Sequence, residues 1–404
     1  MNFKKILLLL GLLAIAVGVG FFIYYLFFGP VGGPAIVAPP AANVNAPVTP
    51  LPPSPTGGPA RPTAPVTGEL PPGLSAVANG GLTLVKPVTN APATGAAITS
   101  NGDLSYYNRT DGKFYRRLPD GQVVPLSEKV FYNASGVTFD PAGSKAIIEY
   151  PDGSNIMYDF NSSRQVTLPA HWEAFDFSPS GEQMAAKSIG TDASNRYLVI
   201  SNPDGSGARA VQELGENADK VNVAWSPSNQ IVATASTGEF QGLDSREIFF
   251  IGQYHENFKS MTVEGFDFRP RWSPTGEQLL YSAASTRSDY KPTLWLVDAS
   301  GDNIGSNRHT LNVNTWADKC TFADSATVFC AVPTSMPRGA GLQPAVVDDT
   351  PDNIIKIDLI TGLQTKIAEP EGSHTIKELI LSPDGKTLYF TDKASGILNE
   401  IKLQ

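Results

Sequence analysis

Few side chains in this chain belong to types that do chemistry, and their spacing narrows what they can do. The 404 residues contain four histidines and two cysteines. His171, followed by Trp172, and His374 each stand without a second His, Cys or carboxylate at metal-ligand spacing. They read as polar rim residues, not as ligands or general bases. Asp348-Asp349 with Asp352-Asn353 offers the hard oxygens calcium takes but matches no complete calcium loop, so it reads as a solvated acidic loop. Cys320 and Cys330 lie symmetrically about Ser325 on the arms of one expected hairpin. Register can set them opposite; a cross-strand disulfide and two small buried residues are the alternatives. Asn108, Asn133 and Asn161 open glycosylation sequons, which matter only in a host that uses them. Nucleophile elbow, phosphate loop, His-Glu-x-x-His and dinucleotide fingerprint are all missing from the sequence. No catalytic residue, metal or cofactor is assigned.

The elements that must position these residues follow from a repeat. Phe177-Ser-Pro-Ser-Gly, Trp272-Ser-Pro-Thr-Gly and Leu381-Ser-Pro-Asp-Gly each precede an apolar run. Phe139-Asp-Pro-Ala-Gly and Trp225-Ser-Pro-Ser-Asn are variants, and Ile98-Thr-Ser-Asn-Gly and Phe322-Ala-Asp-Ser-Ala are degenerate copies. The copies begin at 98, 139, 177, 225, 272, 322 and 381, spacings of 38 to 59 residues. Each unit reads as four short antiparallel strands. One ends on the large residue, Pro and Gly make the turn, a second and a third strand follow, and a second turn leads to the fourth. Units of this size in series predict an all-β, seven-bladed β-propeller spanning residues 80–404. The last copy has room for only three strands before Gln404, so the spare segment 81–87 is expected to close the ring as its fourth.

These turns, with an aromatic before and an apolar strand after, resemble the TolB-type, WD-like propeller repeats. The resemblance covers residues 80–404 and implies a fold, since the shared residues build turns and not a site. No Trp-Asp dipeptide is present. Asn229 replaces the Gly of one copy and the copy at Phe322 lacks Ser-Pro, so altered turns are expected at both.

Loop length then locates a candidate site. The connections at 110–112, 151–153 and 393–396 are short, whereas 190–195, 237–245, 284–292 and above all 333–352 are long. Long loops on one face of a rigid ring are where binding concentrates. Phe240, Asp244, Arg287, Tyr290, Met336, Arg338, Asp348 and Asp349 are the contact types they carry. Links between units bring His171, Trp172, Trp316 and His374 toward the same channel mouth.

The N-terminus supplies an address. Residues 6–28 are 23 positions without a charge, preceded by Lys4 and Lys5. At 1.5 Å per residue that is a helix of roughly 34 Å, enough to span a bilayer core. With the lysines inside, the rest of the chain is extracytoplasmic, in the periplasm or at the cell surface. The apolar run is too long for a cleaved signal peptide, so it reads as an uncleaved signal-anchor. Residues 29–79 hold 14 Pro and 7 Gly with no aromatic residue, the composition of a disordered stalk.

A formal net charge of −9 argues against nucleic-acid binding. The leading expectation is therefore a membrane-anchored, extracytoplasmic propeller that binds a protein partner on its long-loop face, as a scaffold module and not an enzyme. The alternative is a propeller-type enzyme or small-ligand sensor with its site at the channel mouth.

Overall fold

The structure, a computed structural model, describes residues 17–19, 71, 73–239, 242 and 244–403. Residues 17–19 are helical, but the rest of the expected membrane span and nearly all of the stalk lie outside the described residues. Among the described residues no helix is long and apolar enough to cross a membrane. The chain divides into two units, Met1–Thr67 and Gly68–Gln404, and every strand among the described residues lies in the second.

The repeat turns explain why strands begin where they do. In each of five copies the motif's Ser or Asp N–H donates to the carbonyl five residues on, as Ser178 does to Gln183 at 2.9 Å and Ser382 to Thr387 at 2.9 Å. The side chain then accepts an N–H in return, Gln183 to Ser178 Oγ at 3.1 Å and Lys145 to Asp140 Oδ1 at 2.7 Å. The fourth residue must take a left-handed conformation, and Gly181, Gly276 and Gly385 do so at φ of 69° to 71°. Asn229 does the same at φ 61°, because Asn is among the few side chains that tolerate that region. The altered turn expected there is therefore not found. Asn229 N–H bonds Ser226 O at 2.8 Å, and its side chain accepts from Trp225 Nε1 at 2.8 Å. The copy at Phe322 does change, turning through Ala323 N–H to Thr327 O at 2.9 Å.

Four sheets consist of four consecutive antiparallel strands, beginning at Gly136, Trp172, Val221 and Phe266 and ending at Leu168, Glu213, Glu264 and Thr310. A fifth comprises Cys320–Phe322, Thr327–Pro333, Asp352–Asp358 and Gln364–Pro370, with Leu82–Thr83 added in parallel at its outer edge. The remaining sheet has seven strands, in the order 376–381, 387–392, 397–402, 86–98, 104–108, 113–117 and 123–125. Its long strand Lys86–Ile98 serves two neighbours. Lys86 and Pro87 pair with Glu400 and Asn399, whereas Ala93 and Ile98 pair with Asn108 and Leu104.

The segment 81–87 is thus not one strand. Leu82 and Thr83 join Glu369 and Pro370, and pairing with the C-terminal strand starts at Lys86. The hydrogen-bonded chain also begins before residue 80, with Ser75 N–H to Leu82 O at 2.9 Å and Ala78 N–H to Lys402 O at 2.8 Å.

Second strands such as Ile231–Ala235 and Thr387–Asp392 are buried at every position, as sheets covered on both faces require. Each successive pair of sheets shares its own apolar cluster. Leu198, Ile200 and Val211 meet Val221 and Val232, for example, and Leu294 and Leu296 meet Cys320, Val328 and Ile357. Another joins Ala93, Leu104 and Tyr106 to Tyr389 and Leu398.

Candidate binding site

The long connections are fastened to one another in order. From 236–244, the Asp244 carboxylate accepts the Thr286 N–H at 3.2 Å and its hydroxyl at 2.5 Å. From 285–291, the carbonyls of Asp289 and Tyr290 accept the N–H groups of Gly339 and Gly341 at 2.9 and 2.8 Å. From 334–351, Asp348 pairs with Lys393 of the next short connection. Thr334 N–H to Pro351 O at 2.8 Å closes the base of this longest loop. Close approach explains one glycine, since a Cβ on Gly341 would lie 2.2 Å from Ala284 Cβ. Four connections thereby form one ledge.

Trp316 is the ledge's anchor. It is 4% exposed and packs against Ala340, Val347 and Met336, which turns the long loop back onto the sheets. Its Nε1 donates to Asp267 Oδ2 at 2.8 Å, and the Arg269 guanidinium stands 5.3 Å from the ring centroid. Beside it opens a cavity of about 410 Å³ whose walls include Arg269, Lys319, Val347, Lys377 and Lys393. A second, of about 470 Å³, is lined by Lys220, Asn222 and Phe268 and shares Arg269 and Asp318 with the first. The two are parted by the Arg269–Asp318 ion pair at 2.9 Å.

Most cations here are matched. Arg269 also holds Asp267 at 2.9 Å, and Lys319 holds the buried Asp352 at 2.6 Å. Asp352 is therefore buried and paired, and not part of a solvated acidic loop with Asp348 and Asp349 as the sequence had suggested. Among the described residues no group of three or more metal-binding side chains is found. The side chain of Arg271, two residues along the strand from Arg269, makes neither hydrogen bond nor ion pair; burial pushes its pKa down, and the charges of Glu378 and Asp318 oppose that.

The residues expected at the site divide. Asp244, Tyr290, Met336, Arg338, Asp348 and Trp316 come together in the ledge, with the Arg338 Nε 3.8 Å from Asp289. Tyr290 also packs against Phe266, its ring centroid 6.5 Å away. Arg287 is exposed and pairs with Glu264 at 3.4 Å, and Asp349 is exposed. His374 borders the same region, its Nδ1 3.1 Å from Asp392 Oδ2. Burial opposes ionisation of Asp392, but the Ser395 hydroxyl and N–H and the imidazole hold its pKa below the ordinary value.

Trp172 does not reach a channel mouth. It is 6% exposed and packs with Phe175, Phe177 and Met157 inside a core cluster. His171 is exposed beside it. Phe240 lies outside the described residues.

Sequence reasoning passed over Arg269, Arg271, Lys319 and Lys377. The available signal was the strand Phe266-Asp-Phe-Arg-Pro-Arg-Trp272, where two arginines interrupt a run otherwise suited to a core. Cys320 and Cys330 sit directly opposite and are joined as a disulfide, with Cα atoms 4.0 Å apart.

No protein-family model matches the chain, and no curated protein shows significant similarity to it. Solved structures do resemble it. An oligogalacturonate lyase in complex with manganese has a TM-score of 0.55 and 12% identity over 79% of this chain and 93% of its own. The β-propeller domain of Cps50 (Swd1) from Myceliophteria thermophila gives 0.53 and 13% over 79% and 100%. An oligogalacturonate lyase from Vibrio parahaemolyticus gives 0.53 and 9% over 78% and 93%. At such identities the likeness defines a fold: the chain is a β-propeller, and its four-stranded sheets are the blades.

Proposed function

We propose that this chain is a membrane-anchored, extracytoplasmic propeller of the TolB-like repeat type that docks a protein partner on the 236–351 ledge. The observation that carries the reading is the loop-to-loop fastening from Asp244 through Tyr290 and Gly341 to Lys393. Loops that are merely long remain separate and mobile, whereas loops bonded in series present one preorganised surface, which lowers the cost of binding. Seven blades in a closed ring is the accompanying reading. Its support is that the blade-to-blade clusters run from 107–158 round to 93–398, and that strand 86–98 pairs with both terminal hairpins. The uncharged stretch after Lys4 and Lys5 supports the anchor. A partner at the ledge is neutral or basic on the whole, since the chain beyond the stalk carries 27 basic and 38 acidic residues.

The test is a crosslinking pull-down of the full chain from its native membranes, beside a variant in which 334–351 is replaced by a short turn. A partner captured by the native chain and lost from the variant supports docking at the ledge. Identical recovery from both overturns it and moves attention to the channel mouth, where the charged cavities favour a small-ligand sensor or enzyme as the second reading.

A further inference from the structure

In the blade that begins at Val221, the outer strand is shorter than the strand it covers. The third strand, Ser245–Gly252, has eight residues and the fourth, Met261–Glu264, has four. The fourth pairs with Ser245 through Ile248 and no further. Phe249 to Gly252 pair only on their inner side, with the strand Ile231–Ala235. Where a longer outer strand would lie, a cavity of about 400 Å³ opens between this blade and the outer end of the preceding one. That is within the range of small-ligand sites, roughly 300–1,000 Å³. Val211 and Leu214 of the preceding blade form one wall, and Phe249 and Phe258 the other. Strand alternation sends Ile248 and Phe250 into the core shared with the next blade and leaves Phe249 facing the cavity, 39% exposed.

The charged groups in this wall have one sign. Glu213 and Glu256 line the cavity beside His255, and among the described residues no lysine or arginine does. The Glu213 carboxylate has no ion-pair partner among the described residues. Glu256 folds against Gly252, where a Cβ would come within 2.2 Å of its Oε2 and 2.7 Å of Phe258 Cε2, so carboxylate and ring edge stand together. Oε2 accepts the Tyr254 N–H at 2.7 Å, which leaves Oε1 for another donor. We infer that the cavity binds a small organic ammonium whose apolar body enters between the two blades. Apolar walls favour burial of a ring, while the carboxylates and the aromatic faces both attract a cation. A neutral analogue keeps the apolar contact and loses the charge pairing, and an anionic one meets two like charges. The site does not depend on whether the ledge docks a protein.

Purified full-length chain is titrated by calorimetry with tryptamine, its neutral analogue tryptophol and the anion indole-3-acetate. Ionic strength is held constant at about pH 8, above the ordinary imidazole range. Saturable binding is expected in the order tryptamine, tryptophol, indole-3-acetate. Glu213→Gln should weaken tryptamine about threefold and Glu213→Gln/Glu256→Gln about tenfold, with tryptophol unmoved. Phe249→Ala should weaken tryptamine and tryptophol alike, and Glu182→Gln, an exposed acid elsewhere on the surface, should change neither. Glu213 and Glu256 are exposed, so their glutamine variants should melt with the parent in the absence of ligand. Should either fail to fold, Phe249→Ala and the comparison of the three probes on the parent carry the test. Absence of saturable tryptamine binding would overturn the inference. So would tryptophol or indole-3-acetate binding as tightly as tryptamine, or parent-like binding in the double glutamine variant or in Phe249→Ala.

Discussion

Lys319 Nζ lies 2.6 and 2.7 Å from the two carboxylate oxygens of Asp352, and both side chains are almost wholly buried. Burial pulls the Lys319 pKa down and pushes the Asp352 pKa up, while each charge counteracts the shift in the other. Asp352 Oδ2 also accepts the Ile376 N–H at 2.6 Å. One ion pair therefore ties the turn after Trp316, the end of the long loop and the first residue of the next inner strand. It fixes the foot of the ledge from both sides.

Breaking that pair from one side leaves an uncompensated buried charge. Lys319→Met is expected to cost about 3–5 kcal/mol in denaturant unfolding. The double variant Lys319→Met/Asp352→Asn should lose less than the sum of the two single changes, since it leaves neither charge buried without its partner. Strict additivity in the cycle would show that the two groups do not interact.

Asp176 reports on pH. Its carboxyl is buried, which pushes its pKa up to about 6 even though the Trp225 and Phe177 N–H groups, at 2.7 and 2.9 Å, favour the charged form. The folded pKa stands above the ordinary 3.8, so the native state holds this proton more tightly than the unfolded chain does. Its stabilisation is complete below the unfolded pKa and is lost as pH rises through the folded one. Relative to Asp176→Asn, which does not titrate, the parent should lose up to about 3 kcal/mol between about pH 4 and pH 6.5. Melting curves of both proteins across that range measure it, and parallel curves would contradict the buried proton.

The Cys320–Cys330 bridge spans ten positions of sequence. By loop-closure entropy it should contribute about 2–3 kcal/mol, lost in Cys320→Ala/Cys330→Ala. Thiol titration of denatured, unreduced protein should find none free, and two titratable thiols would refute the bridge in the protein as made.

Removing residues up to 92 tests ring closure. It deletes the pairing of Lys86 and Pro87 with the C-terminal strand, the Ala78 bond to Lys402 and the Thr89 hydroxyl that accepts the Leu398 N–H at 3.1 Å. At about 1 kcal/mol net for each hydrogen bond, a loss on the order of 5 kcal/mol is expected. Faster hydrogen exchange along 397–402 should accompany it. An unchanged melting temperature would show that the first and last blades hold without the strand.

Local chemistry wrote much of this fold into the sequence. Ser-Pro-x-Gly announces its turn because Pro and Gly restrict or free the backbone wherever they stand, and the repeat follows from counting such turns. The strand Thr387–Asp392 and the connection 334–351 lie where those turns place them. At Asn229 the expectation of an altered turn overlooked that Asn, like Gly, tolerates the left-handed region; the bond from the distant Gln253 side chain to its carbonyl is added only by the folded sheet. What tertiary structure alone decided is pairing between distant residues: Gly341 against Ala284, Lys319 with Asp352, Trp172 turned into the core, Arg271 left without a partner. Residue type fixes what a side chain is able to bond. Whether it meets a partner depends on how adjacent blades are set side by side, and no local pattern carries that information.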